Sequence, residues 1–144
     1  GSVDFIFGEG TALFENCEIR SVAEGFVTAA STPKDADFGF VFDRCKLTAA
    51  EGVDGVYLGR PWRQYAKTVF INSKLGGHIL PAGWDHWGLQ TNKQTAFYAE
   101  YANTGLGAHT GDRVPGSKKL SGEEARKYTV ENIFRGWQPG ENGL

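Results

Sequence analysis

The sequence contains no methionine, only two cysteines and no long apolar run. A membrane span needs about 20 consecutive apolar residues, so contact with a membrane is not expected. Two cysteines are too few for the framework of a small disulfide-rich domain. The net charge of −2 lacks the basic excess that nucleic-acid binders show, so no nucleic-acid partner is expected either.

Glycine is in excess, with 20 of the 144 residues, and 13% of the residues are aromatic. This glycine share is about twice the usual one, and the combination predicts many short strands joined by turns. The length suits a single domain. Because no initiator methionine is present and residues 3–7 already resemble a core strand, we expect the chain to be part of a longer or processed protein. An absent leader leaves secretion undecided.

Three six-residue segments align at a spacing of 28 residues. Each has a phenylalanine first, a small residue fourth and an aliphatic residue sixth. The aligned positions are Phe14, Phe42 and Phe70, then Cys17, Cys45 and Ser73, then Ile19, Leu47 and Leu75. A unit this short cannot bury a face alone, so the units should stack. The repeat favours an all-β fold, a parallel β-helix with one coil per repeat, with a β-sandwich as the alternative.

Beyond residue 80 the repeat fades. Residues 95–101 are a further candidate strand, and residues 105–116 are a predicted loop. Ser121 and Glu124 have the spacing of a capping box, which predicts a short helix over 123–128 that covers an end of the coil. Cys17 and Cys45 should lie one rung apart, at about 4.8 Å. That distance permits a disulfide, and two buried thiols are the alternative.

Asp4 and Arg60 are the first candidates for chemistry. Asp4 interrupts an apolar strand, where an unpaired carboxylate would be costly to bury. Arg60 follows it by 56 residues, or two repeats. Two rungs are about 9.6 Å apart, and an arginine side chain can close most of that gap. Such an arginine would orient the carboxylate and keep it ionised, as a nucleophile requires. An outward-facing aspartate and a structural ion pair remain the alternatives.

Three tryptophans lie in turn-rich sequence and are candidates for a flat carbohydrate platform, or alternatively for the core. They are Trp62, Trp84 and Trp87. The histidines at positions 78, 86 and 109 lack paired spacing with cysteines or acids, so no metal site is predicted.

The segments Gly-Ser-Val-Asp-Phe-Ile-Phe-Gly at 1–8 and Leu-Gly-Arg-Pro-Trp at 58–62 resemble the two best signatures of pectin methylesterases. Shorter matches at 26–29, 81–84 and 103–108 follow in the same order, so the resemblance covers nearly the whole chain. It implies a right-handed parallel β-helix that removes methyl esters from pectin, giving pectate and methanol, without a metal or other cofactor. It also implies a secreted protein of the cell wall.

The resemblance assigns roles residue by residue. Asp4 matches the aspartate that attacks the ester carbonyl, and Arg60 matches the arginine that holds it. The positions that match the substrate groove are Phe7, Thr28, Trp62, Trp84 and Trp87.

One departure from the family is important. The family uses a second aspartate as general acid and base, beside glutamines that stabilise the oxyanion, and these positions would precede Gly1. The aspartates at 35, 37, 43 and 54 do not match that motif. We therefore expect residues 1–144 to be the C-terminal part of one β-helix domain, with the exposed N-terminal rung pairing with an upstream segment or another copy.

Two other functions remain as alternatives. The first is a non-catalytic pectin-binding β-helix module. The second, a pectin lyase or polygalacturonase on the same fold, is weaker. Lyases usually need acid clusters that bind calcium, and glycosidic hydrolysis needs paired carboxylates across the bond.

Overall fold

The computed structural model describes residues 1–134, which form three coils of short strands. The first coil contains β1 (Val3–Gly8), β2 (Ala12–Glu15) and β3 (Glu18–Ser21); the second contains β4 (Gly25–Ala30), β5 (Phe40–Asp43) and β6 (Lys46–Ala49); the third contains β7 (Val56–Pro61), β8 (Lys67–Ile71) and β9 (Lys74–Leu75). After them come α1 (Asn92–Thr95), β10 (Phe97–Tyr101), a 3-10 turn (Thr110–Asp112), β11 (Lys118–Lys119), α2 (Gly122–Ala125) and α3 (Val130–Phe134). No helix among residues 1–134 is long and apolar enough to cross a membrane.

The strands form three sheets, here called A, B and C. Sheet A has the order β1-β4-β7, sheet B the order β11-β10-β8-β5-β2, and sheet C the order β3-β6-β9. Every strand pair is parallel and joins one coil to the next. A sandwich would pair neighbouring strands in antiparallel fashion. The predicted parallel β-helix is therefore confirmed, and the sandwich alternative is wrong.

The 28-residue repeat holds in sheets B and C. Phe14, Phe42 and Phe70 are in register and their rings stack, with centroids 4.6 and 4.3 Å apart. Leu47 likewise lies between Ile19 and Leu75 in sheet C. These ladders fill the interior of the coil, where identical apolar shapes pack at the spacing of the strands.

Sheet A does not keep this repeat. Phe7 pairs with Ala29 and Ala29 with Arg60, which are steps of 22 and 31 residues. The expectation that Asp4 and Arg60 are related by two equal periods is therefore wrong. Through Ala29, Arg60 aligns across the sheet with Phe7 instead of Asp4. The physical reason is that the segments joining sheet A to its neighbours differ in length.

A two-residue corner joins sheet B to sheet C in every coil, and its first residue is left-handed. The φ angles are +55° at Asn16, +54° at Arg44 and +50° at Asn72. Asparagine visits this region more readily than most residues. The second residue of the corner is small and directed inward, and in the first and second coils it is a cysteine.

Cys17 and Cys45 are both free thiols, so the disulfide is not formed; Cys45 is buried as the alternative predicted, whereas Cys17 is only partly buried. The Cys45 thiol is buried and donates to the carbonyl oxygen of Phe14 at 3.2 Å. Its burial raises its pKa above the usual value. In the next coil Ser73 replaces the thiol, and its hydroxyl accepts a hydrogen bond from the Cys45 backbone N–H at 3.0 Å.

The capping box predicted at Ser121 and Glu124 is present, with reciprocal hydrogen bonds of 2.9 and 3.1 Å. The backbone hydrogen bond at Ser121 lowers the pKa of Glu124. The helix ends at Ala125, three residues earlier than predicted. Together with α3, this segment packs on the outer face of sheet B through Tyr128 and Ile133. The prediction that it covers an end of the coil is therefore wrong, because it covers the flank.

Candidate functional site

Asp4 lies at an irregular point of β1, on the outer side of sheet A. The register of β1 shifts between Val3 and Ile6, and Asp4 has φ +48°. Bulges of this kind re-aim a side chain. A left-handed non-glycine residue costs free energy, and such residues cluster at functional sites.

Arg60, on β7, reaches across β4 to Asp4. Its Nε lies 3.0 Å from Oδ1 of Asp4 and its Nη2 lies 2.7 Å from Oδ2, which is a bidentate pair. The side chains are 21% and 22% exposed. The structure therefore brings these two predicted residues together. An ionised carboxylate has about four acceptor sites and Arg60 uses two, so Asp4 keeps lone pairs free for a ligand.

Two aromatic rings enclose the Arg60 guanidinium. Its Cζ lies 4.0 Å from the ring centre of Phe26 and 3.8 Å from that of Trp87. The guanidinium carbon therefore lies over the faces of both rings. Tyr57 in turn stacks on Phe26, with ring centres 5.0 Å apart.

Trp87 is held in this position by its own loop. It has φ +57°, and its backbone N–H donates to Oδ1 of Asp85 at 3.0 Å. This is the hydrogen bond of an Asx turn, in which a side-chain oxygen replaces a backbone carbonyl. Asp4 and Trp87 are thus both left-handed non-glycine residues, and both lie at this site.

A surface groove opens over Asp4. It has a volume of about 310 Å³ and is lined by Val3, Asp4, Phe7, Ala29, Trp62 and Trp87. The exposed fraction is 63% for Phe7, 42% for Trp62 and 40% for Trp87. The rings of Phe7 and Trp62 meet edge to face at 5.8 Å. The groove is therefore an aromatic-walled depression with one carboxylate at its base.

The structure overturns two of the predicted groove residues. Thr28 is fully buried, and its hydroxyl donates to the carbonyl of Leu58 at 3.0 Å inside the coil. Trp84 is 1% exposed and stacks on Tyr98, with ring centres 4.3 Å apart. Thr28 lies in β4 and Trp84 forms a bridge with Gly59 of β7, and both side chains take the inner face of sheet A. Direct contact of Thr28 or Trp84 with a ligand in the groove is therefore excluded.

A buried ion pair between Glu100 and Arg113 was not predicted from the sequence. Nε of Arg113 lies 2.8 Å from Oε2 of Glu100, and Nη2 lies 2.9 Å from Oε1. The indole N–H of Trp84 donates to the same carboxylate at 3.2 Å. The available signal was an acidic residue in a strand, two positions after the buried Tyr98. Arg113 gave no signal, since it lies in a predicted loop.

The sequence also gave no signal for the roles of Phe26 and Asp85, which belong to the site only through Arg60 and Trp87. Among residues 1–134, no group of three or more histidine, cysteine or acidic side chains is placed to hold a metal ion. His78 is buried, and this burial lowers its pKa. His86 is also buried, with Nε2 3.0 Å from the carbonyl oxygen of Pro115.

The fold and the site define a class: a parallel β-helix protein with a carboxylate–arginine pair in an aromatic groove on one outer face. Comparison with known proteins identifies the family. The pectinesterase family model matches residues 1–137, and the chain belongs to the pectinesterase family.

Relatives and solved structures agree with this. The chain is 40% identical to the pectinesterase/pectinesterase inhibitor U1 of Solanum lycopersicum, with 94% of the chain and 26% of the relative covered. It superposes on the pectin methylesterase from carrot with a TM-score of 0.87 and 34% identity, covering 94% of the chain and 47% of that structure. It superposes on a pectin methylesterase mutant in complex with a hexasaccharide with a TM-score of 0.81 and 29% identity, covering 96% of the chain and 49% of that structure. The chain thus spans between about a quarter and a half of these proteins.

Proposed function

We propose that this chain carries the nucleophile half of an ester hydrolase that removes methyl esters from pectin, giving pectate and methanol. The observation that supports this most directly is the bidentate hold of Arg60 on Asp4 at the base of the groove. A structure of a related pectin methylesterase mutant with a hexasaccharide supports an oligosaccharide as the ligand of the groove. The same family membership supports secretion to the cell wall.

In this proposal Asp4 is the nucleophile. A free lone pair of its carboxylate attacks the ester carbonyl carbon, a tetrahedral intermediate forms, and methanol leaves with a proton from a general acid. The resulting acyl-enzyme is a mixed anhydride. Water then attacks the anhydride and gives one proton back to the general acid, which restores Asp4 as a carboxylate and releases the galacturonic acid product, which ionises in solution. Arg60 keeps Asp4 ionised and aimed, while Phe7, Trp62 and Trp87 form walls for the sugar.

The proton donor and the oxyanion donors are the missing parts of this mechanism. Loss of a general acid typically costs about 10²–10⁴-fold in rate. Loss of an oxyanion donor costs about 10²–10³-fold. We propose that residues 1–144 are the C-terminal part of one β-helix domain, and that an upstream segment supplies these groups. It would pair with β1, β2 and β3, which lie at the sheet edges in the described part of the chain.

The test is methanol release from highly methylated pectin. It compares the wild type with Asp4→Asn, each as the 144-residue chain and with an upstream coil of a family member supplied in cis. Asp54→Asn is the matched control, because Asp54 is exposed and does not line the groove. We expect Asp4→Asn to reduce release at least about 10³-fold and Asp54→Asn to leave it unchanged. Equal release by the wild type and Asp4→Asn would reject Asp4 as the nucleophile.

A non-catalytic pectin-binding module is the second candidate. It is favoured by the exposure of Phe7 and Trp62, since a binding platform needs no second carboxylate. Under this function a methylated oligogalacturonate binds the wild type and Asp4→Asn equally, and Trp62→Ala abolishes binding. Methanol would not be released by any form, including the one with the upstream coil.

A further inference from the structure

We propose that Phe26 and Trp87 form an aromatic clamp that fixes the plane of the Arg60 guanidinium, and that Asp85 fixes Trp87. All three are positioning residues for Asp4. The part of this inference that concerns turnover rests on the proposed function, and the structural part does not.

The Arg60 side chain has more freedom than its hydrogen bonds to Asp4 remove. Arginine is a long side chain that loses much rotamer entropy when it is ordered. Its two hydrogen bonds to Asp4 fix the fork in its own plane. They restrain rotation of that plane about the line to Asp4 only loosely, because a hydrogen bond prefers the plane of the acceptor but tolerates a broad range of directions. A flat group packed against two rings is held more firmly against this rotation.

The positive charge of Arg60 also favours contact with the two rings. A guanidinium over an aromatic face is attracted by the negative face of the ring, and the interaction strengthens when the groups are removed from water. At 4.0 Å from Phe26 and 3.8 Å from Trp87, Arg60 makes this contact with both rings. The rings accept no hydrogen bonds in competition with Asp4. The whole fork therefore stays available for the carboxylate.

The loop that carries Asp85 and Trp87 holds Trp87 against Arg60. Trp87 adopts a left-handed backbone, which an aromatic residue rarely does unless its surroundings impose it. The imposed restraint is the hydrogen bond from its N–H to Asp85. Removal of this acceptor should release Trp87 from Arg60. One face of Trp87 covers Arg60, so only its outer side is available to a sugar.

The test begins with a readout that does not need activity, the Arg60 Nε–H signal in a ¹H–¹⁵N NMR spectrum of the full chain. We expect Arg60 protons shifted upfield by the two rings, with slow exchange of Nε–H. Phe26→Leu should abolish the shift and accelerate exchange, whereas Phe26→Tyr should restore both. Phe97→Leu is the matched control, because Lys118 rather than Arg60 lies over the Phe97 ring, on sheet B.

Asp85 gives a second pair of variants. Asp85→Asn keeps an oxygen that can accept the Trp87 N–H, so the Arg60 signal should stay at the wild-type position. Asp85→Ala loses the acceptor, and the signal should move in the same direction as in Phe26→Leu. An Arg60 signal that is unshifted in the wild type, or unchanged by Phe26→Leu and Asp85→Ala in folded protein, would overturn the clamp.

Turnover is measured last, in whichever form releases methanol. Phe26 does not line the groove, so Phe26→Leu should lower kcat about tenfold and leave KM within about twofold. A rise in KM at unchanged kcat would contradict positioning and indicate sugar binding instead. If no form of the protein releases methanol, the proposed function fails, while the NMR result still decides the clamp.

Discussion

Two carboxylate–arginine pairs of the same geometry occupy different surroundings in this protein. Asp4–Arg60 lies on the outer side of sheet A, where both side chains are about one-fifth exposed and aromatic rings cover the guanidinium. Glu100–Arg113 lies inside, with side chains 2% and 4% exposed. Each pair has two short hydrogen bonds between the fork and the carboxylate. The surroundings, and not the pair itself, separate the two roles.

The difference lies in what each pair leaves unused. Arg113 also donates to the carbonyls of Leu80, Pro81 and Gly107, so that all of its N–H groups have acceptors. Its pair joins the loops at Leu80 and Pro81 and at Gly107 to β10 and is enclosed by the protein, with no opening for a ligand. The Asp4 carboxylate receives only the bonds from Arg60 within residues 1–134 and faces an open groove. The two pairs therefore differ in whether the carboxylate faces a groove or is enclosed by the protein.

The largest effect should come from breaking the buried pair. Glu100→Ala leaves an unpaired buried guanidinium and should lower the free energy of unfolding by about 3–5 kcal/mol. Glu100→Gln, which keeps the volume and an acceptor, should cost less. Denaturant unfolding followed by tryptophan fluorescence measures both. A loss below about 1 kcal/mol for Glu100→Ala would mean that the buried pair adds no more than a surface pair does.

The outer pair should respond in the opposite way. Arg60→Lys replaces a fork by a single donor, and a misplaced Asp4 should slow methanol release about 100-fold. Unfolding should change by less than about 1 kcal/mol, since the pair is partly exposed. Both quantities are measured on the same preparation, with Arg63→Lys as the control outside the pair. Loss of stability without loss of rate would make the two pairs equivalent and remove the comparison.

Trp62 beside the outer pair and Trp84 beside the buried pair extend the comparison between the two pairs. Trp62→Ala removes an exposed wall of the groove and should weaken binding of a methylated oligogalacturonate about tenfold, or about 1.4 kcal/mol. Its unfolding should change little. The control is Trp84→Phe, which alters the core beside Glu100 and should affect unfolding but not binding. Calorimetric titration and a melting curve separate the two outcomes, and a binding loss in Trp84→Phe alone would reverse the assignments.

The smallest effect should be a pH dependence of the interior. Burial lowers the pKa of His78 below its usual 6.5, so the unfolded chain takes up the proton first as pH falls. The contribution of neutral His78 is complete above about pH 6.5 and is lost as pH falls below that value towards the pKa of the folded state. Melting curves across this range, for the wild type and His78→Leu, measure it. A steeper acid loss in His78→Leu than in the wild type would contradict this sign.

The interior of the coil was predictable from the sequence because it repeats. The equal spacing of Phe14, Phe42 and Phe70 predicts that their rings stack. Rings stacked at the spacing of successive coils indicate a parallel sheet. Sheet A was less predictable because the segments that join it differ in length. The sequence spacing therefore predicted that Arg60 aligns with Asp4 across the sheet, whereas in the structure Arg60 aligns with Phe7, with Ala29 between them.

The site was predictable as far as motifs reach. Asp4 and Arg60 are marked by short segments with fixed neighbours, and a long side chain bridges the remaining distance. The direction of Thr28 and Trp84 was not predictable, because a motif does not say which face of a sheet a residue takes. Arg113 was not predictable for another reason: its acceptors are Glu100 on β10 and backbone carbonyls of two separate loops, and only the folded chain brings them to one guanidinium.

The fixed and variable joins between the sheets have a consequence for how the protein can change. The corner from sheet B to sheet C has two residues in all three coils, whereas the joins from sheet A to sheet B have three, nine and five. One residue inserted at the corner would turn the following strand of sheet C over and break the ladder of Ile19, Leu47 and Leu75. Insertions at the sheet A joins leave that ladder in place and alter only the walls around Phe7 and Trp62. The molecule can therefore acquire deeper, shallower or differently charged walls through changes in loop length, while the coil beneath them stays constant.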